Sequence, residues 1–189
     1  MVQEPVRVVL DANVLFPFTL RDTLLRAAVL GLFQVYWSEE ILEEARRNLV
    51  STGRMRDEQV ARLIERMRAV FPEALVDDYQ PLIPSMPNDP KDRHVAAVAV
   101  RVGAQAIVTN NLKDFRQLPA GIEVFGPDDF LLGVLERAPA AVALILRRQA
   151  AALKNPPVTL DELLTGLGRT VPCFEAAFRE RFAAPDEET

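Results

Sequence analysis

The stretch VRVVLDAN at residues 6–13 decides the fold. Residues 6–10 are mostly β-branched and do not alternate with polar residues, which is typical of a parallel strand buried on both faces. Asp11 follows directly, at the carboxyl end of this predicted strand. Ligands of open parallel sheets bind beyond the carboxyl ends of the strands, so Asp11 is a candidate site residue. Aspartate is also common in turns between strand and helix, and the stretch alone leaves that alternative open.

Strand and helix patterns alternate along the first two thirds of the chain. Buried strands are predicted at 106–109 and 122–125, a strand or extended link at 33–37, and a further short strand at 76–79. Helices are predicted at about 20–31, 38–50, 57–71 with Asp57 as cap, and 90–102 with Asp89 as cap. A proline-rich loop occupies residues 81–90. The alternation predicts an α/β fold with a mainly parallel sheet.

The composition changes after Gly126-Pro127. Residues 128–136, 138–154, 159–167 and 173–182 have only helical patterns, and Asp186, Glu187 and Glu188 belong to a predicted frayed tail. We therefore expect a domain at 1–130 and an all-helical extension at 131–189. The extension must bury its apolar residues on the first domain, on a second copy or on a partner protein; these are Leu144, Ile145, Leu160, Leu163, Leu164, Phe174, Phe178 and Phe182.

Composition excludes several classes of protein. The 189 residues are 49% hydrophobic, which permits a packed core, and no apolar run approaches the ~20 residues of a membrane span. The N-terminus does not resemble a signal peptide, and the single Cys173 allows no internal disulfide, so a cytoplasmic location is expected. A net charge of −5 argues against a passive nucleic-acid binder, although it does not exclude an enzyme acting on nucleic acid.

Helix geometry separates one glutamate from its neighbours in residues 38–50. Ile41, Leu42, Ala45 and Leu49 define the apolar face of this helix, which Ser38 is predicted to cap. Glu44 lies roughly 110° from the centre of that face, whereas Glu40 and Glu43 lie roughly 150° away and point to solvent. Only Glu44 is therefore placed to reach a site at the edge of the core.

Further polar residues are predicted at the same sheet edge as Asp11. Thr109, Asn111 and Asp114 follow the strand at 106–109, and Asp92 begins the helix after the proline-rich loop. Capping of that helix would also account for an acid at position 92, so Asp92 is a candidate site residue only together with the other acids. Crowded carboxylates repel one another unless a cation neutralises them, and oxygen ligands suit Mg²⁺ and Mn²⁺. Such ions activate water for phosphodiester hydrolysis, the chemistry that these acids favour.

The order of these motifs resembles the PIN domain. VVLDANVL, SEEILEEARRNL, NDPKDRHVAAVAV and AIVTNNLKDF follow one another at suitable separations across about residues 6–130, most like VapC-type toxins of prokaryotic toxin–antitoxin modules. The helical tail is similar to an extension on one branch of those toxins. The resemblance implies a three-layer α/β/α fold and a Mg²⁺- or Mn²⁺-dependent endoribonuclease. It also implies an RNA substrate, a cognate antitoxin of a type II pair, a homodimer and no membrane association.

The resemblance also assigns residues to the site. The four acids of the family match Asp11, Glu44, Asp92 and Asp114 as metal ligands, and its polar residue after the long strand matches Thr109. Many relatives carry an acid where this chain has Asn111, so Asn111 and Asp114 compete for the last place. Asp89 is an additional acid that could share the role of Asp92.

Several alternatives stay open from the sequence. His94 is expected to be an ordinary helix-surface histidine, because metal-activated water removes the need for a histidine base. The arginine-rich segment 46–68 is either a solvated helical hairpin or a contact for the RNA backbone. A phosphatase with Asp11 as nucleophile would need an acid where Asn13 stands. A PIN-like interaction module without catalytic activity is the non-enzyme alternative.

Overall fold

The computed structural model describes residues 5–183, and the tail acids Asp186, Glu187 and Glu188 lie outside this range. Within it, the chain forms two compact units that divide between Gly126 and Pro127. The strands of the first unit are β1 (Arg7–Leu10), β2 (Gln34–Tyr36), β3 (Ala106–Val108) and β4 (Glu123–Phe125). Its helices are α1 (Ala12–Leu15), α2 (Phe18–Val29), α3 (Glu39–Ser51), α4 (Asp57–Val70) and α5 (Arg93–Val102).

The four described strands form one sheet in the order β2-β1-β3-β4, and every neighbouring pair is parallel. Val8, Val9 and Leu10 have no exposed surface, because β1 is a central strand and helix α5 packs against β1 and β3. Complete burial of such side chains stabilises a fold by about 1.5–3 kcal/mol each. The expected α/β fold with a mainly parallel sheet and a helical extension is confirmed.

The register of the sheet brings two polar residues together. Val9 pairs with Ile107 in β3, so the strands β1 and β3 end side by side. The amide of Asp11 donates to the carbonyl of Val108 at 3.1 Å, and the amide of Thr109 donates to the carbonyl of Phe125 at 3.0 Å. These two bonds extend the sheet by one residue and fix both side chains at its carboxyl edge.

Helix α3 has the geometry that its sequence predicts. Its N-cap is Ser38, whose hydroxyl accepts a hydrogen bond from the Ile41 amide, and its buried residues are Ile41, Leu42, Ala45 and Leu49. Glu44 has a side chain that is 37% exposed, which is the shoulder position expected of it. Glu43 is exposed and forms an ion pair with Arg46.

Two local predictions are wrong. Residues 76–79 do not form a strand. The β pairing in this region is an isolated parallel bridge between Trp37 and Leu75, one residue before them. Asp57 does not cap α4; Arg56 is the N-cap, and Asp57 is the first helical residue. An acid in the first turn still stabilises the helix through its dipole, so the residue type suits the helix start although its position differs by one.

The proline-rich loop contains more local structure than its sequence indicates. Residues Gln80–Ser85 form a 3₁₀ helix that contacts α5. A shorter 3₁₀ turn, Pro90–Asp92, follows, and its N-cap Asp89 accepts a hydrogen bond from the Lys91 amide at 3.2 Å. Helix α5 then begins at Arg93 and ends at Gly103, whose φ of 61° is the left-handed conformation that glycine tolerates.

The second unit consists of helices in its described part. They are α6 (Pro127–Arg137), α7 (Pro139–Ala152), α8 (Leu160–Leu167) and α9 (Pro172–Phe182). Helix α6 packs against α7 and α9, and α8 packs against α7 and α9. Ile145, Leu163, Leu164, Phe174 and Phe178 are buried, whereas Leu144 and Phe182 stay about 40% exposed.

None of the helices in residues 5–183 combines the length and the apolar character that crossing a membrane requires.

Candidate active site

Asp11 is almost completely buried at the carboxyl end of β1, with 2% of its surface exposed. Its Oδ1 accepts a hydrogen bond from the Ala12 amide at 2.7 Å. Its Oδ2 accepts from Asn13 Nδ2 at 2.6 Å and from Thr109 Oγ1 at 2.7 Å. Asp11 also caps α1, so the turn role considered from the sequence is present. A carboxylate offers about four acceptor positions, and three filled ones leave room for a cation.

A hydrogen-bond network fixes the Asp11 carboxylate from the β3 side. Thr109 Oγ1 donates to Asp11 and accepts from the Asn111 amide at 3.0 Å and from Asn13 Nδ2 at 2.9 Å. Asn13 Oδ1 in turn accepts from the Asn110 amide at 2.9 Å. Thr109 has no exposed surface, so its hydroxyl orients the acid and the loop behind it without meeting solvent. Asn111 enters this network through its backbone amide.

Asp92 is buried without a full set of hydrogen bonds. It ends the 3₁₀ turn Pro90–Asp92 and makes no side-chain capping bond to α5, so helix capping does not explain it. Its Oδ2 is inaccessible to solvent and has no hydrogen-bond partner. Burial raises the pKa of Asp92 to about 6; Asp11 and Asp114 act in the same direction and Lys91 in the opposite one. Asp89 is exposed and serves as the cap.

Asp114 lies on the 3₁₀ turn Leu112–Phe115, next to the turn that carries Asp92. The backbone joins the two turns, since the Asp89 amide donates to the Asp114 carbonyl at 3.1 Å. Lys91 Nζ lies 3.0 Å from Asp114 Oδ2 and 4.0 Å from Asp92 Oδ2. A carboxylate beside the ammonium raises the pKa of Lys91, with Asp114 as the main cause. Lys91 is therefore a charged neighbour of both acids.

His94 is not the surface residue expected from the sequence. Only 6% of it is exposed, because its place in the first turn of α5 turns the ring toward α3. Its Nδ1 lies 3.1 Å from the Lys91 carbonyl, which only accepts, so Nδ1 carries a hydrogen. Its Nε2 lies 3.9 Å from Glu44 Oε2 and has no hydrogen-bond partner. Glu44 on α3 is therefore a neighbour of the His94 ring, which lies in the first turn of α5.

The acids influence one another electrostatically. Burial raises the pKa of Asp11, and Glu44 adds to the increase, while the hydrogen bonds from Thr109 and Ala12 oppose it. Asp11 in turn raises the pKa of Asp92, as does Asp114. The structure therefore places all four predicted acids within one electrostatic neighbourhood. Carboxyl groups with raised pKa values at one sheet edge are typical of a functional site.

The donor atoms fit a hard divalent cation in type. They are carboxylate oxygens, and the buried Oδ2 atoms of Asp92 and Asp114 have no hydrogen-bond partner, although the Lys91 ammonium lies 4.0 and 3.0 Å from them. However, no three Asp, Glu, His or Cys side chains among residues 5–183 are arranged as a ready-made metal site. A bound ion would therefore need a different arrangement of these side chains, of which Glu44 is 37% and Lys91 60% exposed.

Comparison with known proteins identifies the family of the chain. Residues 7–113 match the PIN domain, and residues 127–180 match the VapC50 C-terminal domain. Because the first match covers more than half of the chain, the protein belongs to the PIN-domain family. It is similar to "Putative ribonuclease VapC50" from Mycobacterium tuberculosis (strain ATCC 25618 / H37Rv), with 43% identity over 107 residues.

The aligned region covers 55% of this chain and 63% of that relative, which is less than two thirds of the relative's length. No solved structure matches the chain significantly.

Lys91 is a site residue that the sequence pattern does not single out. It stands next to Asp92, and a lysine beside a candidate ligand is the one signal in the sequence that points to it. Its contact with Asp114 depends on two turns that meet through their backbones, and spacing along the chain does not reveal that. The burial of His94 likewise depends on a segment that is distant in the chain, since its ring lies next to Glu44 on α3.

Proposed function

We propose that this chain is a metal-dependent endoribonuclease of the VapC type, the toxin of a type II toxin–antitoxin pair. The observation that carries the proposal is the buried Asp92 oxygen without a hydrogen-bond partner, at the sheet edge that also holds Asp11. A buried carboxylate of this kind is costly unless a cation neutralises it. Membership of the PIN-domain family and the name of the relative support RNA as substrate.

In this proposal Mg²⁺ or Mn²⁺ bound at the edge supplies an activated water and neutralises charge on the phosphodiester. Asp11, Glu44, Asp92 and Asp114 are the residues that would hold the ion. Thr109 orients Asp11, and Asn111 fixes the Thr109 hydroxyl through its amide. Burial of Asp11 and Asp92 keeps bulk water from competing for their oxygens.

The proposed partners follow from the same assignment. The substrate is cytoplasmic RNA, and the inhibitor is an antitoxin expressed with the toxin. Homodimerisation is part of the proposal as well. Size-exclusion chromatography with light scattering, with and without the product of a small open reading frame adjoining the gene, tests both forms of association.

The test of the activity uses the purified full chain and a structured RNA. Cleavage is expected with Mg²⁺ or Mn²⁺, is expected to stop with EDTA, and is expected to fall to background in Asp11→Asn. Asp129→Asn is the matched control, because Asp129 is an exposed acid in the second unit. Cleavage that survives the double change Asp11→Asn and Asp92→Asn would refute the proposal.

Mn²⁺ calorimetry separates the enzyme from an interaction module that lacks catalytic activity. If the chain is the proposed enzyme, the titration is expected to show heat of Mn²⁺ binding, and Asp11→Asn and Asp92→Asn are each expected to lower the Mn²⁺ affinity. An interaction module is expected to show no binding that depends on these carboxylates.

A further inference from the structure

Two phenylalanines follow the short helix α1, which begins directly after Asp11. Phe16 is the C-cap of α1, and Phe18 is the first residue of α2. With a rise of about 1.5 Å per helical residue, the chain from Asp11 to Phe16 spans roughly 8 Å. Helix α2 leads back to β2, which runs parallel to β1, so the first residue of α2 lies on the carboxyl side of the sheet. Both aromatic residues are therefore near the acids.

The Phe18 ring is open to solvent and held in place from below. It is 52% exposed, and no other aromatic side chain among residues 5–126 reaches this exposure. The buried Arg21 guanidinium lies over the ring, 5.7 Å from its centroid, and Nη1 donates to the Leu15 carbonyl at 2.6 Å. A single exposed apolar side chain is ordinary, but this one is fixed before any ligand arrives, which lowers the entropic cost of binding.

Arg54 brings an unpaired positive charge to the same place. Its Cζ lies 4.5 Å from the centroid of the Phe16 ring. The side chain is exposed and, within residues 5–183, it has neither an ion pair nor a hydrogen bond. A guanidinium that contacts a ring through its face keeps its N–H donors, which lie in its plane, available for a phosphate. The charge and the open ring thus complement the two parts of a nucleotide.

Helix α3 also leads from the acids to Arg54. Glu44 and Ser51 are seven residues apart, so they lie on the same side of α3, and Arg54 follows Ser51 by three residues. Helix α3 packs against α1. The two elements next to the acids, one after Asp11 and one with Glu44, therefore converge on the contact between Phe16 and Arg54. A strand bound at the acids has a continuous path to this contact.

We propose that Phe18 and Arg54 form a subsite for single-stranded RNA, in which the Phe18 ring stacks on an unpaired base next to the cleaved bond and Arg54 binds the neighbouring phosphate. This inference rests on the proposed function and adds the class of RNA to it. Every base has a face that can stack, so such a platform tolerates different sequences. It selects single strands, because the bases of a duplex are already stacked on one another.

The first experiment measures RNA affinity by fluorescence anisotropy, with the full chain in the Asp11→Asn background and EDTA to keep the RNA intact. A labelled single strand is expected to bind more tightly than the same strand annealed to its complement. Phe18→Ala is expected to weaken single-strand binding about 5- to 150-fold, the contribution of one stacked base, and to leave duplex binding unchanged. Phe18→Tyr retains the ring and is expected to bind like the parent.

The matched control is Val29→Ala. Val29 is 58% exposed at the opposite end of α2, so this change removes exposed apolar surface away from the proposed subsite. The affinity for single-stranded RNA is expected to stay unchanged. Circular dichroism of every variant accompanies the titrations.

Phe18→Trp reports stacking directly. The native Trp37 is completely buried, so RNA that quenches tryptophan fluorescence in this variant acts on the introduced indole. Single-stranded RNA is expected to quench this emission, and the duplex is expected to leave it unchanged. Because this variant keeps an aromatic ring at the position, the test does not depend on the folding of Phe18→Ala.

Salt dependence tests the phosphate contact of Arg54. In Arg54→Ala the slope of log affinity against log salt is expected to fall by about 0.7, the value for one phosphate of a single strand. Arg54→Lys retains the charge and is expected to keep the slope. Arg68→Ala is the control, because Arg68 is already paired with Glu39.

Four results would overturn the inference: tighter binding of the duplex by the parent, unchanged single-strand affinity in Phe18→Ala, no quenching in Phe18→Trp, or an unchanged slope in Arg54→Ala. Each of them leaves metal-dependent cleavage of RNA untouched. A wild-type chain that neither binds nor cleaves RNA would instead overturn the proposed function. The two failures are therefore distinguishable.

Discussion

Thr109 is the residue on which the orientation of Asp11 depends. Its buried hydroxyl serves three partners at once: Asp11, Asn13 and the Asn111 amide. In Thr109→Val the shape is kept but these groups lose their partner, so the free energy of unfolding is expected to fall by about 1–3 kcal/mol. Urea denaturation measures this change. A weaker Mn²⁺ affinity is expected with it.

Thr109→Ser is the matched control for that change. It retains the hydroxyl and removes one methyl group, so the Mn²⁺ affinity is expected to stay near that of the wild type. Equal affinities for Thr109→Val and the wild type would show that the hydroxyl does not orient Asp11 for an ion.

Asp92 is expected to make the proposed metal binding depend on pH. Its pKa of about 6 lies above the ordinary 3.8, so between these values the folded protein holds a proton that the unfolded chain lacks. The contribution of Asp92 to stability is therefore greatest below pH 4 and decreases as pH rises through 6. A metal ion must displace this proton, so Mn²⁺ affinity is expected to fall roughly tenfold per pH unit below about pH 6.

Calorimetry across this pH range, in two buffers with different ionisation enthalpies, measures both the affinity and the protons released. The raised pKa of Asp11 acts in the same direction. An affinity that does not change between about pH 7 and about pH 5 would contradict the role of these acids as ligands.

At the residue scale, the sequence predicts those positions that local rules determine. Asp11 follows from the end of a buried strand, and the shoulder position of Glu44 follows from helical spacing. His94 and Lys91 could not be placed in this way. Their surroundings depend on α3 and on the Asp114 turn, which lie about 50 and 20 residues away in the chain. Their contacts arise only when the sheet is assembled.

At the scale of elements, Asp128 connects two helices of the second unit. It belongs to α6, yet its two carboxylate oxygens accept hydrogen bonds from the Cys173 and Phe174 amides at the start of α9, at 3.0 and 2.7 Å. These amides have no partner within their own helix. Asp128→Ala is expected to lower the free energy of unfolding by about 0.5–2 kcal/mol.

Thermal or urea unfolding tests this prediction, with Asp129→Ala as the control. Asp129 lies in the same first turn of α6 and is exposed, so it shares the charge and the helix dipole of Asp128. Equal decreases in the two variants would show that the charge matters and that the bonds to α9 do not.

The ends of helices are predicted well where capping residues, glycine or proline mark them. Ser38 and Gly103 define a helix start and a helix end, and Pro139 and Pro172 stand at the first positions of α7 and α9. The strand expected at 76–79 is absent, since a short apolar run does not by itself select strand over loop. The 3₁₀ turns carry no distinctive sequence pattern.

At the scale of the whole molecule, a net charge of −5 means that the proposed binding of RNA would depend on local cations. In residues 5–183, Arg46 and Arg68 form ion pairs with acids, while Arg47, Arg62 and Arg66 have no ion-pair partner. If α4 contacts the RNA backbone, Arg62→Ala with Arg66→Ala is expected to weaken RNA binding. The slope of log affinity against log salt is expected to fall by about 1 for each phosphate that the variant no longer neutralises.

The control for this prediction is Arg68→Ala, because Arg68 already pairs with Glu39. Fluorescence anisotropy with a labelled RNA, at several salt concentrations and with the Asp11→Asn background to prevent cleavage, gives the slopes. Unchanged slopes in the double variant would identify the segment 46–68 as a solvated helical hairpin.

The parallel sheet is predictable because its buried strands are short, apolar and separated by helices. The strand order is not, since spacing along the chain does not state which strands pair. The order places β1 between β2 and β3, and this gives Asp11 its neighbour Thr109.

The central place of β1 also has a consequence for synthesis. This inner strand leaves the ribosome well before its partner β3, which follows about 100 residues later. Until Thr109 and Asp114 have emerged, Asp11 has neither its hydrogen-bond donor nor its acidic neighbours. A nascent chain therefore has no assembled site until its first unit is almost completely translated.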